Sequence, residues 1–228
     1  MVRRKREYIS AQQALELALR NDEATTELYR KLVRVESLPT YQECYDLVRT
    51  MKSNVRAKMT ARLLMASDVY TIVTNELVDQ IAQTLLGLKP KRALEICAGS
   101  GKLSYWLNKR GVEIVPTDSG EGIKSDYCEM LDHLQALNKY RPDVVLAAFP
   151  PSETPQIPLD VLSREHVRHF VVIGKAALFE RRYGAEISRL AAIAPLELPL
   201  FPRSADGKHR EVDRGITLSA IYTKRDSV

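Results

Sequence analysis

The stretch from Arg92 to Leu103, Arg-Ala-Leu-Glu-Ile-Cys-Ala-Gly-Ser-Gly-Lys-Leu, constrains this chain more than any other. It reads as a short apolar strand carrying an acid, a tight glycine turn, and the first turn of a helix. Gly99 and Gly101 can take positive φ and leave the backbone bare where a ligand must come close. A helix opening at Gly101 points free N–H groups and the positive end of its dipole toward the same place. At the carboxyl end of a parallel sheet such a unit is a nucleotide-type cradle. The plainer alternative is an ordinary β-turn-α junction without a ligand.

The residues between the glycines narrow the choice. A dinucleotide fingerprint G-x-G-x-x-G needs Gly or Ala at 104, where Ser104 stands, which disfavours a nicotinamide enzyme. A phosphate-binding P-loop needs Gly at 96 and Ser or Thr at 103, but the residues are Ile96 and Leu103. What remains is an acid four residues before G-x-G, Glu95-x-x-x-Gly99-Ser100-Gly101. Asp118 follows 17 residues after Gly101, at the end of the next apolar run, where an acid can accept both hydroxyl hydrogens of a ribose. The turn Asp118-Ser119-Gly120 favours Asp for local reasons as well.

In these residues the chain resembles the class I S-adenosylmethionine-dependent methyltransferases. The resemblance implies S-adenosyl-L-methionine as cofactor. Glu95 would then sit near the amino group of its methionine part, with Cys97, Ala98, Gly99 and Gly101 as the cradle. Asp118 would take the ribose, with Ser119 beside it among the cofactor-binding residues, Asp126 and Tyr127 would meet the adenine, and Phe149 would border the pocket. The family often has Gly where this chain has Cys97. Asp126 also fits an N-cap, with Glu129 three residues on.

Elements alternate from Arg92 onward. Strands are expected at 92–97, 112–117, 143–149 and 169–173, and helices at 102–110, 127–140 and 176–193. A weak extended segment lies near Ile123. Two last strands, Pro195–Phe201 and Ile216–Thr223, have no helix between them and are expected to be antiparallel neighbours. The expectation is an α/β, Rossmann-like, open and mostly parallel seven-stranded sheet with an antiparallel last strand, preceded by an all-helical N-terminal unit.

That unit, residues 1–66, shows helical stripes at Ala11–Leu19, from about Asp22 to Val35, after the capping box Thr40-Tyr41-Gln42-Glu43, and from Asn54 to Leu64. Another helix, Val73 to Leu86, stops at Gly87 and leads into the domain of residues 67–228. Residues 1–66 hold 13 Lys and Arg against 8 Asp and Glu, while residues 67–228 balance at 21 and 21. All of the net +5 therefore lies in the N-terminal unit. It has the character of a substrate-recognition, lid or dimerisation module, and nucleic acid is one partner such a charge attracts. The competing reading is solvated surface.

Three widely spaced cysteines without C-x-x-C exclude a disulfide framework, and no apolar run reaches the ~20 residues of a membrane span. With no secretory h-region, the expected location is cytoplasmic, or nuclear in a eukaryote. His166 and His169 lack a third ligand at metal spacing, so no metal is expected.

After the fourth strand comes Phe149-Pro150-Pro151-Ser152-Glu153. It is similar to the Asn/Asp-Pro-Pro-aromatic motif of amine-directed methyltransferases, with Phe149 in place of the nitrogen-holding residue and Ser152 in place of the aromatic. Pro150 and Pro151 fix a rigid turn there, and Glu153, His166, His169 and His209 are the nearest candidates for a base. The leading expectation is a methyltransferase of unspecified acceptor, with nucleic acid or another anionic substrate slightly favoured. The alternative is a methyltransferase-fold protein that binds or scaffolds without catalysis.

Overall fold

The computed structural model describes residues 23–50, 72–120, 125–150, 156–174, 176–196 and 219–225. The helical stripes at Ala11–Leu19 and Asn54–Leu64, the segment near Ile123, and the charged loop at 202–214 lie outside these residues.

Two helices open the described chain, α1 (Glu23–Val33) and α2 (Tyr41–Thr50). The capping box at the start of α2 forms as its sequence implies. The Thr40 backbone N–H donates to Glu43 Oε2 at 2.7 Å, and the Glu43 N–H donates to Thr40 Oγ1 at 3.2 Å. Leu28, Leu32 and Cys44 close a small core between the two helices.

Helix α3 (Asn75–Leu88) is capped by Thr74, whose hydroxyl accepts the Leu77 N–H. Leu77, Val78, Ile81, Ala82 and Leu85 are buried on one face, the face that their spacing predicts. The expected stop at Gly87 is corrected. Gly87 lies within the helix, and Lys89 takes the left-handed cap at φ 49° because Pro90 prevents continuation.

The sheet follows in alternation: β1 (Ala93–Ile96), α4 (Lys102–Lys109), β2 (Ile114–Asp118), β3 (Glu129–Met130), α5 (His133–Tyr140), β4 (Val144–Ala148), α6 (Ile157–Leu162), β5 (His169–Ile173), α7 (Ala176–Leu190), β6 (Ala191–Leu196) and β7 (Ser219–Lys224). Its order is β3-β2-β1-β4-β5-β7-β6. Neighbours from β3 to β5 are parallel, and β7 runs antiparallel to both β5 and β6.

Successive residues of β1, β4 and β5 point to opposite faces. Leu94, Ile96, Val145, Ala147, Phe170 and Val172 pack on the side of α5, α6 and α7. Ala93, Val144, Leu146, Val171 and Ile173 pack on the side of α3 and α4. Residues 144–147 of β4 are wholly buried, which is why that strand is apolar throughout. Each fully buried Leu or Ile stabilises the sheet by roughly 1.5–3 kcal/mol.

Two expected elements differ. The helix expected at 127–140 starts only at His133, because Asp132 and Gln135 form a complete capping box. Asp126 therefore caps no helix, and Tyr127 lies in the turn before β3. Met130 pairs with Asp118 in the sheet and stays 65% exposed, outside the helix expected to contain it. Likewise α7 ends at Leu190, not 193, and β6 begins at Ala191 rather than Pro195. The run Ala191-Ala192-Ile193-Ala194 suits a helix locally, but register with Ile221–Lys224 of β7 holds it extended.

Candidate functional site

In the sheet order, β1 stands between β2 and β4, so the winding reverses at β1. Open α/β sheets bind ligands in the crevice outside the carboxyl ends of the strands at such a reversal. The turn Cys97–Gly101 after β1 and Phe149-Pro150 after β4 lie at that point.

The turn is built from positive-φ residues. Gly99 (φ 57°) and Gly101 (φ 76°) take it without strain, and Cys97 takes it at φ 55° although it is not glycine. This accounts for the Gly that the resembled family often has there. The Ala98 N–H donates to Thr117 O on β2, and the Gly101 N–H donates to Ala98 O, closing the bend.

Asp118 is brought directly to this turn. Its Oδ2 accepts the Gly99 N–H at 2.9 Å and its Oδ1 accepts the Gly120 N–H at 3.2 Å. A carboxylate has about four acceptor sites, so two backbone donors leave capacity for ribose hydroxyls. Ser119 beside it is exposed.

Glu95 behaves differently. It is 1% exposed, and its Oε2 accepts the Ser104 hydroxyl at 2.5 Å. Burial raises its pKa to about 7, with the Asp118 charge adding to the rise and the Ser104 bonds opposing it. Glu95 thus ties the strand to α4 from inside, and its link to the turn runs through Ser104 and through Thr117, whose hydroxyl donates to Glu95 O.

Segment Ser125–Cys128 lies on the same bend. Ser125 Oγ donates to Ser100 O at 2.6 Å, and a Cβ at Gly101 would stand 2.6 Å from the Tyr127 carbonyl oxygen. The bare backbone at Gly101 therefore admits the chain's own segment. Asp126 is exposed. The Tyr127 hydroxyl donates to Glu36 at 2.5 Å, and its ring meets Tyr105 edge-on at 5.2 Å.

On the β4 side, Phe149 has φ 52° and its N–H donates to Ile173 O at 2.9 Å. Its ring turns onto the bare Cα of Gly174, where a Cβ would stand 2.4 Å from the ring. Pro150 is buried. Pro151 and Glu153 lie outside the described residues. Among the described residues no group of three or more His, Cys, Asp or Glu could hold a metal ion.

Two side chains with a large structural role escaped the sequence reading. Lys102, 7% exposed, donates its ammonium to the carbonyls of Lys31 and Leu32 (2.9 Å to the latter) at the end of α1. A cation there offsets the negative end of the α1 dipole. Trp106 donates its indole N–H to Val35 O at 2.8 Å. The helix after the glycine turn therefore anchors the N-terminal helices; a Lys at that position would be read otherwise as exposed.

No family model matches the chain, and no curated protein matches it. Solved structures do resemble it. The 23S rRNA methyltransferase ErmE is 16% identical over 68% of this chain and 70% of its own, with a TM-score of 0.43. The magnesium protoporphyrin IX methyltransferase of Synechocystis PCC 6803, with bound S-adenosylmethionine, is 11% identical over 97% and 100%, TM-score 0.46. An O-methyltransferase from Bacillus cereus in complex with S-adenosylhomocysteine is 12% identical over 81% and 96%, TM-score 0.48. At these values the likeness adds nothing to the fold, which rests on the strand order and the antiparallel β7. This chain has a Rossmann-like α/β fold, a seven-stranded and mostly parallel sheet in which β7 runs antiparallel to both of its neighbours.

Proposed function

We propose that the protein is an S-adenosylmethionine-dependent methyltransferase. The observation that carries this reading is Asp118 held against the Gly99 amide at the reversal of the sheet. It supports a carboxylate for the ribose beside a bend with bare backbone. The positive-φ bend Cys97–Gly101 would hold the methionine part, with Glu95 fixing the bend from below. The cofactor supplies an electrophilic methyl group on a sulfonium. The protein has to align an acceptor with it, about 3 Å away, exclude water, and receive the acceptor's proton. Pro150 stiffens the β4 end of the crevice. Nucleic acid is the acceptor class we favour, on the net charge of +5 and its concentration in residues 1–66. Those residues also carry a proposed recognition, lid or homodimer role.

A second reading, a binding protein on the same fold without catalysis, has its own support. The Tyr127 carbonyl covers Gly101, and Phe149 stands where amine-directed relatives of the resembled family hold a nitrogen. Calorimetry with S-adenosylmethionine, S-adenosylhomocysteine and NAD tests the pocket, and tight binding of NAD alone would overturn the cofactor assignment. Transfer of a tritiated methyl group to RNA, DNA, protein or small-molecule fractions tests catalysis. Cofactor binding with no labelled fraction favours the second reading.

A further inference from the structure

The opposite edge of the sheet, at the amino ends of β1, β4 and β5, gathers a separate set of charged groups. An open cleft of about 450 Å³ lies there, lined by Arg168, His169, Thr223, Lys224 and Arg225 with Glu165 and Val167. It is one β5 length, about 13 Å, from the carboxyl ends that form the crevice. Arg92 and Arg141 precede β1 and β4 on the same edge, where the Arg92 carbonyl accepts the Asp143 N–H.

The charges there are poorly neutralised. Arg168 pairs with Asp143 at 2.6 Å, yet its side chain is 51% exposed. Asp143 is shared with the backbone N–H groups of Lys91 and Arg92. Lys224 donates to a neutral acceptor, the Arg164 carbonyl, at 3.0 Å. Among the described residues neither Lys224, Arg225, Arg164 nor Arg141 has a carboxylate partner. Arg164 Nε and His166 Nε2 are buried without any hydrogen-bond partner. The His166 imidazole gauges the result: its pKa is lowered first by burial and then by Arg141, Arg164, Arg92 and Lys224. These side chains share one positive field.

We propose that this cleft binds the phosphate backbone of a nucleic acid. Small-molecule sites enclose most of their ligand, whereas this cleft is open and its arginines are exposed, which suits a polymer passing across it. Among the described residues its lining holds no Tyr, Phe or Trp and a single ring, His169, so the contact is chiefly to phosphates and largely independent of sequence. Overall composition hides the feature, because residues 67–228 have no net charge. The site does not depend on the methyltransferase reading, since it shares no residue with the crevice.

Fluorescence anisotropy with a labelled 20-nucleotide RNA, single-stranded and duplex, from 50 to 300 mM NaCl tests it on the full chain. The double variant Lys224→Gln, Arg225→Gln should weaken binding about tenfold at 0.1 M salt. It should also lower the slope of log K against log salt by roughly 1.4–1.8, the loss of two phosphate contacts. Glu165→Gln, which removes the acid of the lining, should strengthen binding. A misfolded variant cannot produce that gain. Unchanged affinity and slope in the double variant would overturn the proposal, as would loss of all binding on deleting residues 1–22 with the double variant still silent. Tripolyphosphate displacing the RNA at equal phosphate concentration would overturn it in favour of a free anion. Affinity for S-adenosylmethionine should be unchanged in all these variants, so failure of this site and failure of the crevice read separately.

Discussion

The hydroxyl of Ser104 donates a 2.5 Å hydrogen bond to the buried carboxylate of Glu95, joining β1 to α4 beneath the glycine turn. Burial raises the Glu95 pKa from 4.5 to about 7. The folded protein therefore retains a proton there that the unfolded chain releases. The resulting stability is complete below about pH 4.5 and is lost as pH rises through about 7. Glu95→Gln keeps an acceptor for Ser104 and removes the titration. Urea unfolding of the wild type and this variant between pH 4.5 and 8 should diverge by about 3 kcal/mol across the window. Parallel pH profiles would refute the assignment.

Lys102 holds the N-terminal helices to the domain. Its Lys31 and Leu32 acceptors would be left unpaired by Lys102→Met, at a cost of about 1–3 kcal/mol each if they stay buried. Trp106, the one tryptophan, reports the same docking through its bond to Val35 O. The variant should red-shift the tryptophan emission and speed amide exchange in Glu23–Thr50, with β4 and β5 still protected. Burial also lowers the Lys102 pKa from 10.5 to about 8. Between those values the unfolded chain binds the extra proton, so wild-type stability should gain with rising pH relative to the Met variant.

Cys97 occupies the left-handed region at φ 55°. A β-branched side chain is the most strained there, and glycine is not strained at all. Cys97→Gly should fall within about 1 kcal/mol of the wild type, whereas Cys97→Val should lose about 2 kcal/mol or more. The reverse order in thermal unfolding would mean that packing, not φ, governs the position.

Asp118→Ala removes the acceptor beside the Gly99 amide. S-adenosylmethionine affinity should fall tenfold to a hundredfold, roughly 1.4–2.7 kcal/mol, in calorimetry. Equal affinity in a folded variant would disconnect this carboxylate from the ligand.

Burial pushes the thiols of Cys44, Cys97 and Cys128 up to about 12. At pH 8 all three should react with a disulfide reagent far more slowly than in urea. Fast labelling of any one in the native protein would contradict its raised pKa.

Much of the sheet was legible because its strands obey local rules. The apolar runs around Val144–Ala147 and Phe170–Ile173 fit only strands covered on both faces. The glycine bend, with Asp118 at the end of the next strand, was equally readable from spacing. The errors fell where local pattern and pairing disagree, at Tyr127–Met130 and at Ala191–Ala194. There the sequence allows a helix, but the capping box at Asp132 starts it only at His133, and pairing of Glu129–Met130 with β2 and of Ala191–Ala194 with β7 holds those residues extended. Lys102 was opaque for a related reason: nothing near it in sequence reveals that its ammonium reaches a helix end 70 residues earlier.

The order of residues alone determined the alternation of strands and helices, the positive-φ bend and the acid that ends β2, since each depends on contacts within a few residues. Tertiary structure decided that Glu95 turns inward to Ser104, and that the Tyr127 carbonyl lies on Gly101. It also gathered Arg92, Arg141, Arg164, Arg168, Lys224 and Arg225 along one sheet edge. Those six residues come from segments far apart in the chain, and only strand pairing brings like charges together against their repulsion.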